Sequence, residues 1–436
     1  MLALMSRPAS GLESSVVAIG KAMGKFLLKN RFDGGLGEHR QQEQDFALPS
    51  TILVMARPFD VCIRGGGITG RTLALLLARE RLRVGFVAHA GTPPAGTDGQ
   101  TDVRAFALNL KSKELLESIR CWPSAADATP VRKMQVQGDD GGEVVFNAAD
   151  CGAPTLAWIV DVPVLEAQLA QAMTFQPKIE LLDVAQPATL TVVCEGKASS
   201  SRDEFGVDFD VAPYAQWAVA ARLNGEKPHE QTAFQWFSHE GILGVLPMGG
   251  PVSGGIAVSP GNSVAIVWSV EQARAQTLLQ MNADDFCRAL QVATHDSFGP
   301  LVLTSERALW PLQLAHTDRW AGTTGGVSWV LAGDAAHTVH PLSGQGLNLG
   351  LADVAELATL IAGRDYWRSV ADDKLLRRYE RSRKADAAAL GSVTDGLQRL
   401  FAHSGGSWQA LRNAGMNGFE RSGPLKKWVA RQAMGA

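Results

Sequence analysis

The sequence predicts an α/β fold: a Rossmann-like parallel-sheet domain, interrupted by an inserted β-sheet domain and followed by a C-terminal helical region. Three observations carry that reading. "FDVCIRGGGITGRTLALLLARERLRVGFVAHA" (59–90) reads strand, glycine turn, helix, strand. Several β-rich runs then crowd residues 206–270, among them "YAQWAVAARL", "ILGVLPM" and "SVAIVWSV". The α/β pattern returns at 327–361, and from 370 onward the periodicity is helical, with Leu390, Val393, Leu397 and Leu400 on one face.

In the first unit Val61 and Ile63 are β-formers running straight into Gly65-Gly66-Gly67; Leu73, Ala74, Leu76 and Leu77 give the helix its apolar face, and Val84, Phe86 and Val87 form the second strand. Gly65, Gly67 and Gly70 make a G-x-G-x-x-G at a strand–helix junction. The first glycine permits the tight turn, the second lets backbone approach a pyrophosphate, and the third packs helix on strand, while free N–H groups at the helix start point to the phosphates. The acid that binds a ribose is expected about 20 residues on. Ala88 stands there, followed by His89.

Next, "DVRAFALNLKSKELLESI" (102–119) reads as a loop entering a helix, with Arg104 near its start. "VRKMQVQGDDGGEVVFNA" (131–148) reads as a hairpin, Met134 and Val136 alternating against Val144 and Phe146 around a glycine-rich turn. A helical pattern occupies 162–173. Ahead of all this, residues 1–54 are rich in small and polar residues, and Glu38, Glu43 and Asp45 fit a targeting peptide poorly. Met55 is the expected natural start, with 1–54 an upstream extension lacking a fold of its own. The remaining boundaries follow: a discontinuous nucleotide-binding domain at 55–130, 149–205 and 318–365, an inserted sheet domain at 131–148 and 206–317, and helices over 366–436.

Bulk properties narrow the function. A net charge of −3 over 436 residues gives no electrostatic footprint for nucleic acid. The five cysteines are scattered without a CxxC, which argues against a disulfide framework or a zinc site and suits a reducing compartment. No apolar run approaches the roughly 18 residues of a membrane span. The expected location is cytoplasmic, with peripheral contact to an inner membrane allowed.

The second constellation is "VLAGDAAHTVHPLSGQGLNLGLADVAELATLI" (330–361). An apolar run stops at Gly333-Asp334, His337, His340 and Pro341 follow, glycines flank Gln345 and Asn348, and a helical pattern with its own acids, Asp353 and Glu356, begins. One ligand using both this segment and 63–70 requires them to meet. A dinucleotide longer than its pyrophosphate needs that arrangement: the first motif for phosphates, the second for a polyol chain and a ring. Asp334 at a strand end can accept from a ribityl hydroxyl, and the N–H groups of Gly346, Leu347 and Asn348 at a helix start can stabilise negative charge on a reduced ring. FAD fits this better than NAD.

From about Arg57 onward the chain resembles the class A flavoprotein aromatic hydroxylases, and among them the ubiquinone-biosynthesis hydroxylase group. The stretches that carry the resemblance are "DVCIRGGGITGRTLALLL", "DVRAFALN", "YAQWAVAARL", "GDAAHTVHPLSGQGLNLGLADVAEL" and "RRYERSRKADAAALGSVTDGLQRLF". The resemblance implies that Gly65, Gly67, Gly70 and Arg104 contact the pyrophosphate and adenosine side of FAD, that Gly333-Asp334 hold the ribityl chain, and that Pro341, Gly344 and Gly346 to Asn348 line the isoalloxazine. It implies FAD as cofactor, NAD(P)H or another electron donor as co-substrate, and O2 and a prenylated phenol as substrates. Other ubiquinone-biosynthesis proteins are implied as partners, and the inserted sheet as the substrate-binding domain. No catalytic residue is assigned; His337 and His340 read as braces for their loop. The sequence departs from the family's pattern at Glu195-Gly196, where Asp-Gly is usual, at Val162-Pro163, at Trp236, and in a short 178–190. Two further readings therefore accompany a ubiquinone-pathway hydroxylase: a flavin hydroxylase of another aromatic, and a non-catalytic subunit keeping the fold. Finally, "KLLRRYERSRK" (374–384) reads as a basic amphipathic helix able to meet anionic lipid.

Overall fold

The computed structural model describes residues 59–88, 102–138, 141–249, 261–338, 345–402 and 415–435, and of these the side chains of 390–402, 424, 425 and 433 are left aside. The extension at 1–54, the start at Met55, and His89, His340, Pro341 and Gly344 lie outside the described residues. The chain divides at Met55, and every described residue belongs to the unit from Ala56 to Ala436.

Phe59–Arg64 lies at the centre of a six-stranded sheet whose order is 321–324, 327–331, 188–193, 59–64, 84–87, 179–182. Neighbours pair in parallel except for the 321–324/327–331 hairpin at one edge. Val61, Cys62 and Ile63 are all fully buried, as a parallel strand covered on both faces requires. The helix Ile68–Arg79 packs against helices Val162–Thr174 and Gly346–Ala362, and the long helix Asp373–Ala402 packs on the last of these. Register places Arg64 opposite Val193, and Val193 opposite Leu331. Three loops therefore leave the carboxyl ends of adjacent parallel strands side by side: the Gly65 turn, the Cys194–Gly196 loop and the Gly333 turn. Ligands of open α/β sheets bind at this place.

A second, nine-stranded sheet contains 133–137, 143–147, 209–225, 232–238, 241–247, 263–271, 301–303, 308–317 and 337–338. The hairpin pairs Met134 with Phe146 and Val136 with Val144. Helices Gln272–Gln280 and Ala283–Ala293 cover one face through Ala275, Leu278, Phe286 and Leu290, which meet Val219, Ala221 and Leu223. The alternate residues of the same strand turn to the other face, where Arg222 reaches a small third sheet made of 105–108, 157–161 and 128–131. The edge strand 143–147 is tied to the C-terminal segment, Val145 N donating to Glu420 Oε2 at 3.0 Å.

One local expectation is corrected. The approach to the 102–119 helix is a strand, Ala105–Leu108, antiparallel to 157–161, and the helix starts only at Leu110. Asn109 caps it, its Oδ1 accepting from Ser112 N at 2.9 Å.

Candidate functional site

The glycine turn is built as its spacing requires. Gly65 has φ +122°, and a Cβ there would lie 2.2 Å from the Cys194 carbonyl oxygen. A Cβ on Gly70 would lie 2.1 Å from the Gly65 oxygen, so this glycine sets how closely helix and strand pack. Gly67 differs: a Cβ there meets no atom within 4 Å. It is exposed, N-caps the helix without a side-chain partner, and leaves the space before the first-turn N–H groups open.

The two glycine segments meet. Thr69, on the first turn of that helix, touches both Gly333 and Gly350: a Cβ on Gly350 would be 3.0 Å from Thr69 Oγ1, and one on Gly333 3.3 Å from it. Gly333 also turns at φ +65°. Asp334, next in the chain, is half-buried between two buried neighbours, and its carboxylate has no hydrogen bond or ion pair among the described residues. It lies near enough to act on Arg104. Burial works against the Arg104 charge, and Asp102, Glu166 and Asp334 more than offset it. Arg104 Nε donates to Asp102 Oδ1 at 2.9 Å, and its guanidinium is 3.7 Å from Glu166. Burial, reinforced by Asp102, raises the Glu166 carboxyl above its usual range, against Arg104 and Arg71. The Arg104 backbone is itself pinned. Arg222 donates to the carbonyls of Val103 and Arg104 at 3.3 Å each and pairs with Asp161 at 2.5 Å.

Beneath Asp334 lies a buried ionic cluster. Asp353 is fully buried and accepts three hydrogen bonds: from Gly333 N at 2.9 Å, from His337 Nε2 at 2.7 Å and from Arg383 Nε at 2.8 Å. The His337 ring stacks on Trp320 at 4.8 Å. Tyr379, also fully buried, donates to the Leu331 carbonyl at 2.9 Å. From the other side Arg202 donates to Ala335 O at 3.1 Å, Gly196 O at 3.2 Å and Lys197 O at 2.5 Å, fastening the 194–202 loop to the same turn. The backbone around Asp334 is thus clamped while its carboxylate has no partner among the described residues.

The remaining expected residues fall as follows. Gly346 has no atom within 4 Å of a Cβ, and Leu347 is partly buried against the core. The Asn348 side chain is fully used within the protein: Nδ2 donates to Ala107 O at 2.8 Å and Gln345 Oε1 at 3.1 Å, and Oδ1 accepts from Asn109 N at 3.0 Å and Ser112 Oγ at 2.7 Å. Only its backbone N–H, in the first turn of the helix, is left for a ligand. Glu195 is spent as well, accepting from Ser199 Oγ and Ser201 Oγ at 2.6 Å each and from Ser201 N at 3.1 Å. Trp236 is a core residue, stacked on Phe234 at 5.3 Å, with its Nε1 buried and without a partner among the described residues. Sequence reasoning assigned no role to Thr69, Asp353, Arg202, Arg222 or Arg383. The one signal available for Arg383 was its spacing of four from Tyr379, which puts both on one helical face.

The expectation for the basic run 374–384 is corrected too. Leu376 and Tyr379 are buried, Leu375 packs against the core, Arg383 is consumed by Asp353, and Lys384 donates to Glu380 Oε1 at 2.7 Å. The apolar half of that helix covers the protein, so it is not offered to a bilayer.

An open glycine turn at a helix start, a clamped turn presenting a carboxylate with no partner among the described residues, and a second helix start joined to the first fit a dinucleotide-binding enzyme of the flavoprotein type. These residues fit FAD: Gly67 leaves the room a phosphate needs, and Asp334 offers the acceptor a polyol needs. Residues 185–393 match the family described as FAD binding domain. The chain is 29% identical over 411 residues to 3-demethoxyubiquinol 3-hydroxylase of Escherichia coli, covering 87% of this chain and 99% of that protein. It is 30% identical over 408 residues to an uncharacterized protein of Synechocystis, covering 86% and 93%. The crystal structure of PqsL, a probable FAD-dependent monooxygenase from Pseudomonas aeruginosa, superposes with a TM-score of 0.65 at 20% identity, covering 83% of this chain and 99% of that one. The chain belongs to the FAD-binding class A flavin hydroxylases, in their ubiquinone-biosynthesis group, and is an FAD-dependent monooxygenase.

Proposed function

We propose that this enzyme hydroxylates the aromatic ring of a polyprenylated phenol on the route to ubiquinone, with FAD bound across the three loops and NAD(P)H or another donor as the source of electrons. The observation that carries the site assignment is the contrast at Asp334: a turn fixed by Asp353, Arg202 and Tyr379, bearing a carboxylate with no partner among the described residues. FAD, when bound, supplies the activation of O2, which protein side chains do not perform. The chain's own residues bind and orient. The N–H groups after Gly67 meet phosphate, Arg104 is held at the crevice by Asp102, and Asp334 accepts from a hydroxyl. The N–H groups of Gly346, Leu347 and Asn348 meet developing negative charge, and the nine-stranded sheet excludes water from the substrate. His337 remains a brace, because its Nε2 is committed to Asp353 and its ring to Trp320.

Gly67→Ala separates ligand space from folding space. Its φ of −76° suits alanine and the new methyl touches no protein atom, so thermal stability is expected to shift by less than about 1 kcal/mol. FAD affinity, read by fluorescence titration, is expected to fall. Gly70→Ala is expected to cost about 1–3 kcal/mol of stability through overpacking. If Gly67→Ala binds FAD as the wild type does, the pyrophosphate lies elsewhere. For the reaction, the purified protein is expected to carry close to stoichiometric FAD. A deletion strain is expected to accumulate a prenylated phenol lacking one ring hydroxyl, restored by the wild-type gene. A protein that stays colourless after reconstitution would instead support the non-catalytic subunit.

A further inference from the structure

The C-terminal helix Pro424–Met434 turns Ala430 and Met434 inward and leaves Lys427, Trp428 and Arg431 on its outer face. Trp428 is 60% exposed. Neither Lys427 nor Arg431 makes a side-chain hydrogen bond or ion pair among the described residues. Together with Gly423 the three line a depression of about 380 Å³. In a chain of net charge −3, two unspent cations beside an exposed indole form a local exception. The exposed aromatic pair Tyr366 and Trp367 lacks this property. Its neighbour Arg368 is paired with Asp365 and Asp372, and Arg364 donates to the Ile361 and Arg368 carbonyls.

We propose that the Lys427–Trp428–Arg431 face docks the enzyme on an anionic phospholipid surface. Indole rings favour the membrane–water interface, and lysine and arginine are drawn to anionic headgroups. The place suits the substrate as well. The same helix ends at Gly435, whose Cβ position lies 3.2 Å from the Asn109 side chain, and Asn109 N is held by Asn348 in the first turn of the helix assigned to the flavin ring. Seven residues of helix, about 10 Å, separate Trp428 from that junction. The inference rests on the prenylated-substrate reading, since such a chain partitions into a bilayer and has to be met there.

The test uses full-length, FAD-loaded protein and sedimentation with vesicles of phosphatidylglycerol and phosphatidylcholine, or of phosphatidylcholine alone. Wild type is expected to sediment with the anionic vesicles at low salt and to be released by high salt. Each cation at the surface is worth roughly a factor of five, so the double variant Lys427→Gln/Arg431→Gln should bind roughly 25-fold more weakly. Trp428→Ala should weaken binding further, with FAD content and thermal midpoint unchanged in both variants. Hydroxylation of a short-chain phenol in detergent should survive in the variants, so a failed hydroxylase assignment and a failed docking face give different results. The proposal is overturned if wild type ignores anionic vesicles, or if the double variant binds them undiminished. It is overturned equally if millimolar inorganic phosphate displaces the protein at constant ionic strength, which would make the depression a phosphate site.

Discussion

Arg383→Ala is expected to cost the folded protein about 3–5 kcal/mol, because it strands a carboxylate inside. Asp353 is wholly buried, and Arg383 Nε, at 2.8 Å, is one of its three donors. Burial alone would raise the Asp353 carboxyl; His337 and Arg383 beside it hold it below its usual range instead. Since the folded value is depressed, the stability it contributes is fully present above the ordinary carboxylate value of about 4 and is lost as pH falls through the folded value. The deficit of the variant should therefore be largest near neutrality and shrink as the solution is acidified below about pH 4. Urea unfolding of wild type and variant, both without FAD, at neutral and acidic pH measures this directly. A deficit independent of pH would mean that the Arg383 alkyl stem, rather than its charge, holds the fold. Because Asp353 also accepts from Gly333 N, FAD affinity should fall together with stability.

The cluster has no local signature in the sequence. The run "KLLRRYERSRK" looks like a solvated or lipid-facing charge stripe, yet its helix presents Leu376, Tyr379 and Arg383 to the protein, and Arg383 finds its acid 30 residues earlier in the chain. Asp353 was visible only as one acid on a helix. Periodicity shows that a residue shares a face with its neighbours; it does not show which distant element covers that face. Arg222 and Asp161, 61 residues apart, escaped for the same reason. Local geometry was more legible. The βαβ unit with its glycine turn and the Met134–Phe146 hairpin carry their own periodicities of 3.6 and 2, and both stand in the structure. The strand Ala105–Leu108 did not read as one because four small and apolar residues have no period of their own, and its identity comes from pairing with 157–161. The partnership of 133–137 with 232–238, a parallel pairing across about a hundred residues, likewise has no local signature. Asn348 shows the limit at single-residue scale. Its place in a ligand-type motif is plain from the sequence, but that its amide is spent on Ala107, Asn109 and Ser112 is a tertiary fact.

Asp334→Ala should do the opposite of Arg383→Ala, removing the cofactor and sparing the fold. The Asp334 side chain is half-buried and makes no hydrogen bond or ion pair among the described residues, so the FAD-free protein should change by no more than about 0.5 kcal/mol. A charged acceptor to a hydroxyl is worth on the order of 1.5–3 kcal/mol, which weakens FAD binding about 10- to 150-fold. Asp334→Asn keeps an acceptor oxygen without the charge and should recover part of the loss, because a neutral hydrogen bond is roughly half as strong as a charge-assisted one. The measurement pairs FAD titration by flavin fluorescence with urea unfolding of the FAD-free forms. If both variants bind FAD as the wild type does, the unpartnered carboxylate serves something other than the ribityl chain. If the alanine variant loses stability without FAD present, Asp334 has a partner within the protein itself. A loss confined to FAD binding, graded from wild type through asparagine to alanine, is the expected result.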